Sequence, residues 1–319
     1  MDALREEAIR ALELCVEDIP DARVRAFGST VSSFGDERSD LDLSIDIPLS
    51  RARGTPRALA QSLLLWLVER ITQPEFCLPD HNCLSLVESA INARVPCVVV
   101  RFFQFNDSGT LDCDVTVNNV LPVYNTELLR EYAQFGGPAV VAFVREVKQW
   151  AKAKQLHGAK DGHLSSYTFT LLCLFYLQVE KGLPSLQESA PPRVVQDPST
   201  MLEFNVGFLS SAEVSDGRWA ACAKRMFDFY AGFFEFYATR FNWGSDVCSL
   251  RTGRLQPLES FPDLSRDLPR SVAPAEGAFL PHIEDPIETT RNLNCVLHSG
   301  NAERYVFSNS ELERIFSNV

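Results

Sequence analysis

The sequence predicts a two-lobed α/β + α chain, in which a mixed-sheet block is joined to a mostly helical block. Two observations carry this reading. Short β-rich segments cluster within the first 124 residues, and from Thr126 onward the apolar residues recur at helical spacing. The length of 319 residues favours two domains over one.

Residues 2–18 place Leu4, Ala8, Leu12 and Cys15 on one helical stripe, widened by Ile9 and Val16, and Pro20 ends the helix. RVRAFGST reads as a strand entering a turn and LDLSIDI as a second strand. RALAQSLLLWLVERIT, residues 57–72, is an amphipathic helix. ARVPCVVVRFFQF and LDCDVTVN are two further strands joined by the turn NDSG. The order strand–strand–helix–strand–strand implies a mixed sheet, closing near Tyr124. TELLREYAQF, PAVVAFVREVKQWAKAKQL and SYTFTLLCLFYLQVEKG then read as helices, and ESAPPRVVQDPST as a surface loop. AACAKRMFDFYAGFFEFYATRFN is another helix, and a last one falls near SELERIFS. The expected division is residues 21–124 for the sheet block. Residues 1–20 and 125–319 make the helical block, with the opening helix packed on the later helices.

Composition narrows the function classes. With 45% hydrophobic and 23% charged residues the chain is globular rather than disordered. Its net charge of −12 argues against coating long nucleic acids, whose binders are basic, but not against gripping a few nucleotides at a strand end. Nine cysteines occur without a CxxC pair, and read as buried, reduced thiols. No apolar run reaches membrane-spanning length, and the opening helix resembles neither a secretory signal nor a transit peptide. An intracellular, membrane-free protein is expected.

The chemistry concentrates in Phe27-Gly28-Ser29, a spacer, and Asp40-Leu41-Asp42-Leu43. Gly28 and Ser29 after a strand permit close backbone approach and offer donors to phosphate oxygens. Asp40 and Asp42 alternate along a strand, so both carboxylates share a face. Such paired oxygen ligands suit Mg²⁺, which takes one or two protein carboxylates plus substrate phosphates. Asp114 in LDCDV is the candidate third acid on a neighbouring strand. Asp112 reads as structural and Asp46 as the strand's solvent end. The five histidines (His81, His157, His163, His282 and His298) show no ligand spacing, and Arg94 and Arg101 read as surface strand charges.

The Gly-Ser, spacer and Asp-x-Asp pattern resembles the DNA polymerase β-type nucleotidyltransferase superfamily. With LDCDVTVNN, YNTELL, REVKQWAKAKQL, LSSYTF and IEDPIETTRN following in order, the chain resembles terminal uridylyltransferases and the related poly(A) polymerases of the Gld-2 type. It is most like the small trypanosomatid uridylyltransferases of RNA editing. The resemblance implies a bilobal enzyme with the active site in the cleft, transferring UMP from UTP to a single-stranded RNA 3′ end with Mg²⁺ or Mn²⁺. Asp40 and Asp42 would hold both metals, and Asp114 the one that activates the 3′-hydroxyl. Gly28 and Ser29 would hold the β- and γ-phosphates. Lys148 and Lys152, four apart on a helix, would neutralise the triphosphate, and Ser166 would bind a phosphate oxygen. Tyr167 would stack on the base. Asn125 would meet the uracil edge and ribose 2′-hydroxyl, with Thr126 nearby, and Asp285 and Glu288 would read the far edge of uracil. Arg291 stands where some cytoplasmic uridylyltransferases carry a histidine; its bulk and its donors favour uracil.

Three alternatives stay open at this point: an adenylyltransferase of the same fold, an inactive RNA-binding or assembly subunit, and nucleotidyl transfer to a small molecule. The acidic charge and lack of an added RNA-binding domain imply that partner proteins deliver the RNA. The compartment is mitochondrial for an editing-type enzyme and cytoplasmic otherwise.

Overall fold

The computed structural model describes residues 3–37, 39–48, 54–73, 82–104, 109–214, 219, 229–266 and 281–297. It divides into two compact units, Met1–Arg130 with Val194–Val206, and Glu131–Arg193 with Gly207–Val319.

The first unit is built on a five-stranded sheet in the order β1-β2-β5-β4-β3: β1 (Arg23–Phe27), β2 (Leu41–Asp46), β3 (Asn82–Ala90), β4 (Cys97–Gln104) and β5 (Thr110–Val117). β2 and β5 run parallel and all other neighbours antiparallel. A parallel pair needs a crossover, and the chain supplies one through α2 (Pro56–Thr72) and the β3–β4 hairpin. α2 starts where the Thr55 hydroxyl accepts from the Ala58 N–H (3.2 Å), with Pro56 in the first turn.

Period-2 alternation then decides what each face of the sheet carries. Leu41, Leu43 and Ile45 of β2 and Leu111, Cys113, Val115 and Val117 of β5 bury on one face, under α1 (Ala3–Cys15) and α2. Each fully buried aliphatic side chain there contributes roughly 1.5–3 kcal/mol. The intervening residues Asp42, Asp112 and Asp114 take the opposite face.

The division differs from the expected one in three places. α1 belongs to the sheet unit and not to the helices, because Ala8, Ala11, Leu12 and Cys15 pack into the sheet's own core. β3 was read as no element: NCLSLVESA breaks alternation at a bulge between Leu86 and Glu88, so its period-2 signal is weak. The Pro- and Ser-rich stretch read as loop contains β6 (Val194–Gln196), which pairs antiparallel with β7 (Glu203–Asn205) just beyond it.

The second unit is helical. α3 (Leu121–Ala153) begins in the first unit and is interrupted at Gly137, whose φ of 75° and ψ of −174° open the backbone just before Pro138. These are the two helices read from the sequence. α4 (Ser166–Lys181) is capped by Ser165 at its start and left-handed Gly182 at its end. α5 (Phe229–Thr239) buries Phe233, Phe234, Phe236 and Tyr237. Rings of Phe143, Tyr176, Phe233 and Tyr237 meet at centroid distances of 4.9–6.0 Å, mostly edge-on. The aromatic run is thus helical core, as expected. Two short strands, β8 (Val247–Cys248) and β9 (His282–Ile283), pair in parallel. Residues 220–228, the helix near SELERIFS, most of the NDSG turn, Cys77, Cys222, His81 and His298 lie outside the described residues. Among the described residues, no helix is long and apolar enough to cross a membrane.

Candidate active site

β2 and β5 set the acids side by side. Their parallel register pairs Asp42 with Asp114, and the antiparallel β1–β2 register pairs Phe27 with Asp42. The sequence brings Asp42 next to Asp114 for a simple reason: the flanking Leu41, Leu43, Cys113 and Val115 must face the core. Burial drives the Asp42 carboxyl up from 3.8 to about 7, and the negative charges of Asp114 and then Asp40 add to it. Asp42 still keeps a water-facing edge, and Asp40, in the link just before β2, is exposed.

Gly28 turns the chain against this pair. Its φ is +79°, and a Cβ there would collide with the Asp42 carboxylate. Only glycine allows both the backbone conformation and the approach. The Gly28 N–H donates to the Thr126 hydroxyl (2.8 Å), which itself donates to the Pro122 carbonyl (2.7 Å). This refines two expectations. The Gly28 N–H is already engaged, and the Thr126 hydroxyl is spent holding the turn. Ser29 closes the turn through its carbonyl, which accepts from Gly35 N–H (2.6 Å) and the Ser32 hydroxyl (3.3 Å). Asn125, beside Thr126, is buried.

The neighbouring charges on that face are paired. Arg101 meets Asp112 through two hydrogen bonds of 2.6 and 2.9 Å, and Asp46 accepts from Arg25 and from the Ser44 hydroxyl. Asp112 thus has the structural role read for it, while Asp46 is tied into the sheet and does not simply face solvent.

In the second unit Lys148 and Lys152 lie near the loop that joins α3 to α4. Both act electrostatically on His157, whose ring is held neutral by burial and by these two ammonium groups. The His157 Nε2 lies 2.5 Å from the Ser166 Oγ, at the first turn of α4. Main-chain bonds Gly158 N–H to Leu164 carbonyl (3.1 Å) and His163 N–H to Gly158 carbonyl (2.9 Å) close this loop. The histidine was unremarkable in the sequence because no ligand spacing marked it.

The IEDP segment forms a second cluster in this unit. Buried Glu284 accepts from Ser249 (2.5 Å) and Arg251 (2.6 Å), and its N–H donates to the Cys248 carbonyl (3.0 Å). That anchor fixes Asp285, which accepts from the N–H groups of Ile287 and Glu288 (both 3.0 Å) and from the Tyr167 hydroxyl (3.4 Å). Burial, then the Asp285 charge, holds the Tyr167 hydroxyl protonated. Arg291 lies 3.6 Å from Glu288, and burial of its charge is outweighed by Asp285 and Glu288. Tyr167, Asp285, Glu288 and Arg291 are thus brought together in one cluster. Sequence reading missed the anchors Ser249 and Arg251, which carry no motif signal because they bond Glu284 across 35 and 33 residues.

Among the described residues, no group of three or more His, Cys, Asp or Glu side chains is gathered into a ready-made metal cage. The acids nevertheless fit a divalent cation. Asp42 and Asp114 are adjacent hard oxygen donors, and burial first, then the charges of Asp114 and Asp40, disfavours an uncompensated Asp42 carboxylate that a cation would neutralise.

A mixed sheet with this acid pair and Gly-Ser turn is the catalytic-domain architecture of the polymerase β-type nucleotidyltransferases. Two family models match the chain: the central palm domain of mitochondrial-like poly(A) RNA polymerase over residues 2–134, and the Cid1 family poly(A) polymerase model over residues 228–291. Human poly(A) RNA polymerase GLD2 is 31% identical over 253 residues, covering 75% of this chain and 47% of that protein. Human terminal uridylyltransferase 7 is 29% identical over 261 residues, 78% of this chain and 16% of that protein. The chain thus spans about half the length of GLD2 and a small part of the uridylyltransferase. A crystal structure of the Cid1 poly(U) polymerase with Mg 3′-dATP superposes with a TM-score of 0.68 at 25% identity, covering 94% of this chain and 83% of that one. Cid1 with its short product ApU gives 0.71 at 24% identity, covering 98% and 85%. Over the spans of both models the chain matches the poly(A)/poly(U) polymerase family of nucleotidyltransferases.

Proposed function

We infer that the chain transfers UMP from UTP to the 3′-hydroxyl of single-stranded RNA without a template, releasing pyrophosphate. The RNA 3′ oxygen bonds to the α-phosphorus as the bond to pyrophosphate breaks. The observation that carries the reaction class is Asp42 beside Asp114 on the open face of the sheet, against the Gly28 turn.

Asp40, Asp42 and Asp114 would hold Mg²⁺ or Mn²⁺, which supplies charge neutralisation and activation of the 3′-hydroxyl. Lys148, Lys152 and Ser166 hold the triphosphate, and Ser29 contributes its hydroxyl. Tyr167 stacks on the base, while Asn125 bonds the ribose 2′-hydroxyl and the uracil edge, which favours ribonucleotides. Thr126 acts through the Gly28 turn. Asp285, Glu288 and Arg291 read the far edge of the base, and the bulk and donors of Arg291 support uracil. RNA delivery by a partner protein and an editing role in an organelle rest on composition and on the motif resemblance. Retention of all three acids speaks against an inactive subunit.

A second reading, adenylyl transfer, is favoured by the 31% identity to GLD2. The test is kcat/KM on one short single-stranded RNA with UTP and with ATP. A preference for UTP of ten-fold or more, on the order of 1.4 kcal/mol, supports uridylyl transfer. A preference for ATP establishes the second reading.

A further inference from the structure

We propose that His157 is a positioning residue for the triphosphate, turning the Ser166 hydroxyl outward as a phosphate donor when the nucleotide's arrival protonates its ring. The inference rests on the reading that Lys148, Lys152 and Ser166 hold the triphosphate.

The contact between the His157 Nε2 and the Ser166 Oγ is 2.5 Å, a hydrogen bond whose direction depends on the ring's protonation. A further hydrogen bond, to the histidine's own main chain, favours the charged ring. A neutral ring protonated on Nδ1 makes Nε2 an acceptor, so the Ser166 hydroxyl spends its proton on His157. A doubly protonated ring donates from Nε2, and the Ser166 proton is then released toward another acceptor. Only the second state lets Ser166 donate to a phosphate oxygen without losing its bond to the ring.

The surroundings set which state prevails. Lys148 and Lys152 from α3 and His163 from the same loop face the ring, and with burial they lower its basicity. Asp161, in the loop as well, lies against the Gly158 main chain. Before the nucleotide arrives, positive charge therefore dominates around His157 and the ring is neutral. A triphosphate on Lys148 and Lys152 reverses that sign, because its negative charge cancels the ammonium groups and attracts a proton to the imidazole. Nucleotide binding is then accompanied by proton uptake from solvent at His157.

Linkage fixes the direction. The free-state ring titrates below 6.5, and the complex titrates higher. The His157 contribution to binding is therefore largest at acid pH and is lost as pH rises through the window between the two. Titration calorimetry of the full chain with UTP and Mg²⁺, in buffers of different ionisation enthalpy, reads the proton uptake directly. Wild type should take up more proton than His157→Asn, and the difference between the two removes the γ-phosphate's own titration. Wild-type affinity should fall several-fold more steeply than that of the variant between about pH 6 and about pH 8. Imidazole NMR of wild type with and without UTP needs no variant, and should show the His157 titration moving upward on binding. UTP binding with equal proton uptake in both proteins, or an unmoved His157 titration, overturns the proposal and leaves the triphosphate reading standing. Absence of binding by wild type to any nucleoside triphosphate overturns that reading and the proposal together.

Discussion

Asp42 and Gly28 approach so closely that a Cβ on residue 28 would occupy the space of the Asp42 carboxylate. The turn and the acid thus form one structural unit. Gly28→Ala forces either a shift of Asp42 or an opening of the turn, on a backbone at φ +79° that alone costs about 1–2 kcal/mol. The expected result is loss of RNA extension by 100-fold or more, roughly 2.7 kcal/mol, with a lowered melting temperature. Near-wild-type activity would show that Asp42 is not held by this contact.

Asp42 also sets a pH dependence of stability. Its carboxyl is raised from 3.8 in the unfolded chain to about 7 in the fold, so it favours the fold below 3.8 and this contribution is lost as pH rises through about 7. Without metal, Asp42→Asn should therefore melt higher than wild type at about pH 8, by on the order of 1–4 kcal/mol, with the gap closing near pH 4. Added Mg²⁺ should raise wild type more than the variant. Parallel melting profiles across this range would contradict the crowding at Asp42.

The Thr126 hydroxyl accepts from Gly28 and donates to Pro122. Thr126→Val keeps the shape and removes both bonds, leaving two main-chain groups unmatched at a cost of roughly 1–3 kcal/mol. Thr126→Ser keeps both. Melting should separate the two variants by that amount, and kcat should fall for valine alone. Equal behaviour of the two would assign Thr126 no role in the turn.

Arg291 sits against Glu288 in the loop anchored by Glu284. Arg291→Ala should reduce the UTP-over-ATP ratio of kcat/KM by about ten-fold, mainly by letting ATP in. An unchanged ratio would place base choice elsewhere.

The sheet unit was legible because alternation in LDLSID and LDCDVTV is strict, and it settles both the core face and the acid face at once. β3 was hidden by its bulge, and α1 was misassigned because an amphipathic stripe says that a helix packs, without saying on what. The acids, the lysines and the IEDP cluster lay in linear motifs. His157, Ser249 and Arg251 did not: each acts through one contact formed only in the folded chain.

The most direct measurement is extension of a labelled single-stranded RNA by wild type and by Asp114→Ala, with UTP and Mg²⁺. Extension by wild type, reduced at least 1,000-fold (about 4 kcal/mol) in a variant that still folds, is the expected result. Equal extension by the variant, or none by wild type with any ribonucleotide and either Mg²⁺ or Mn²⁺, would contradict the assignment of chemistry to the Asp42–Asp114 pair.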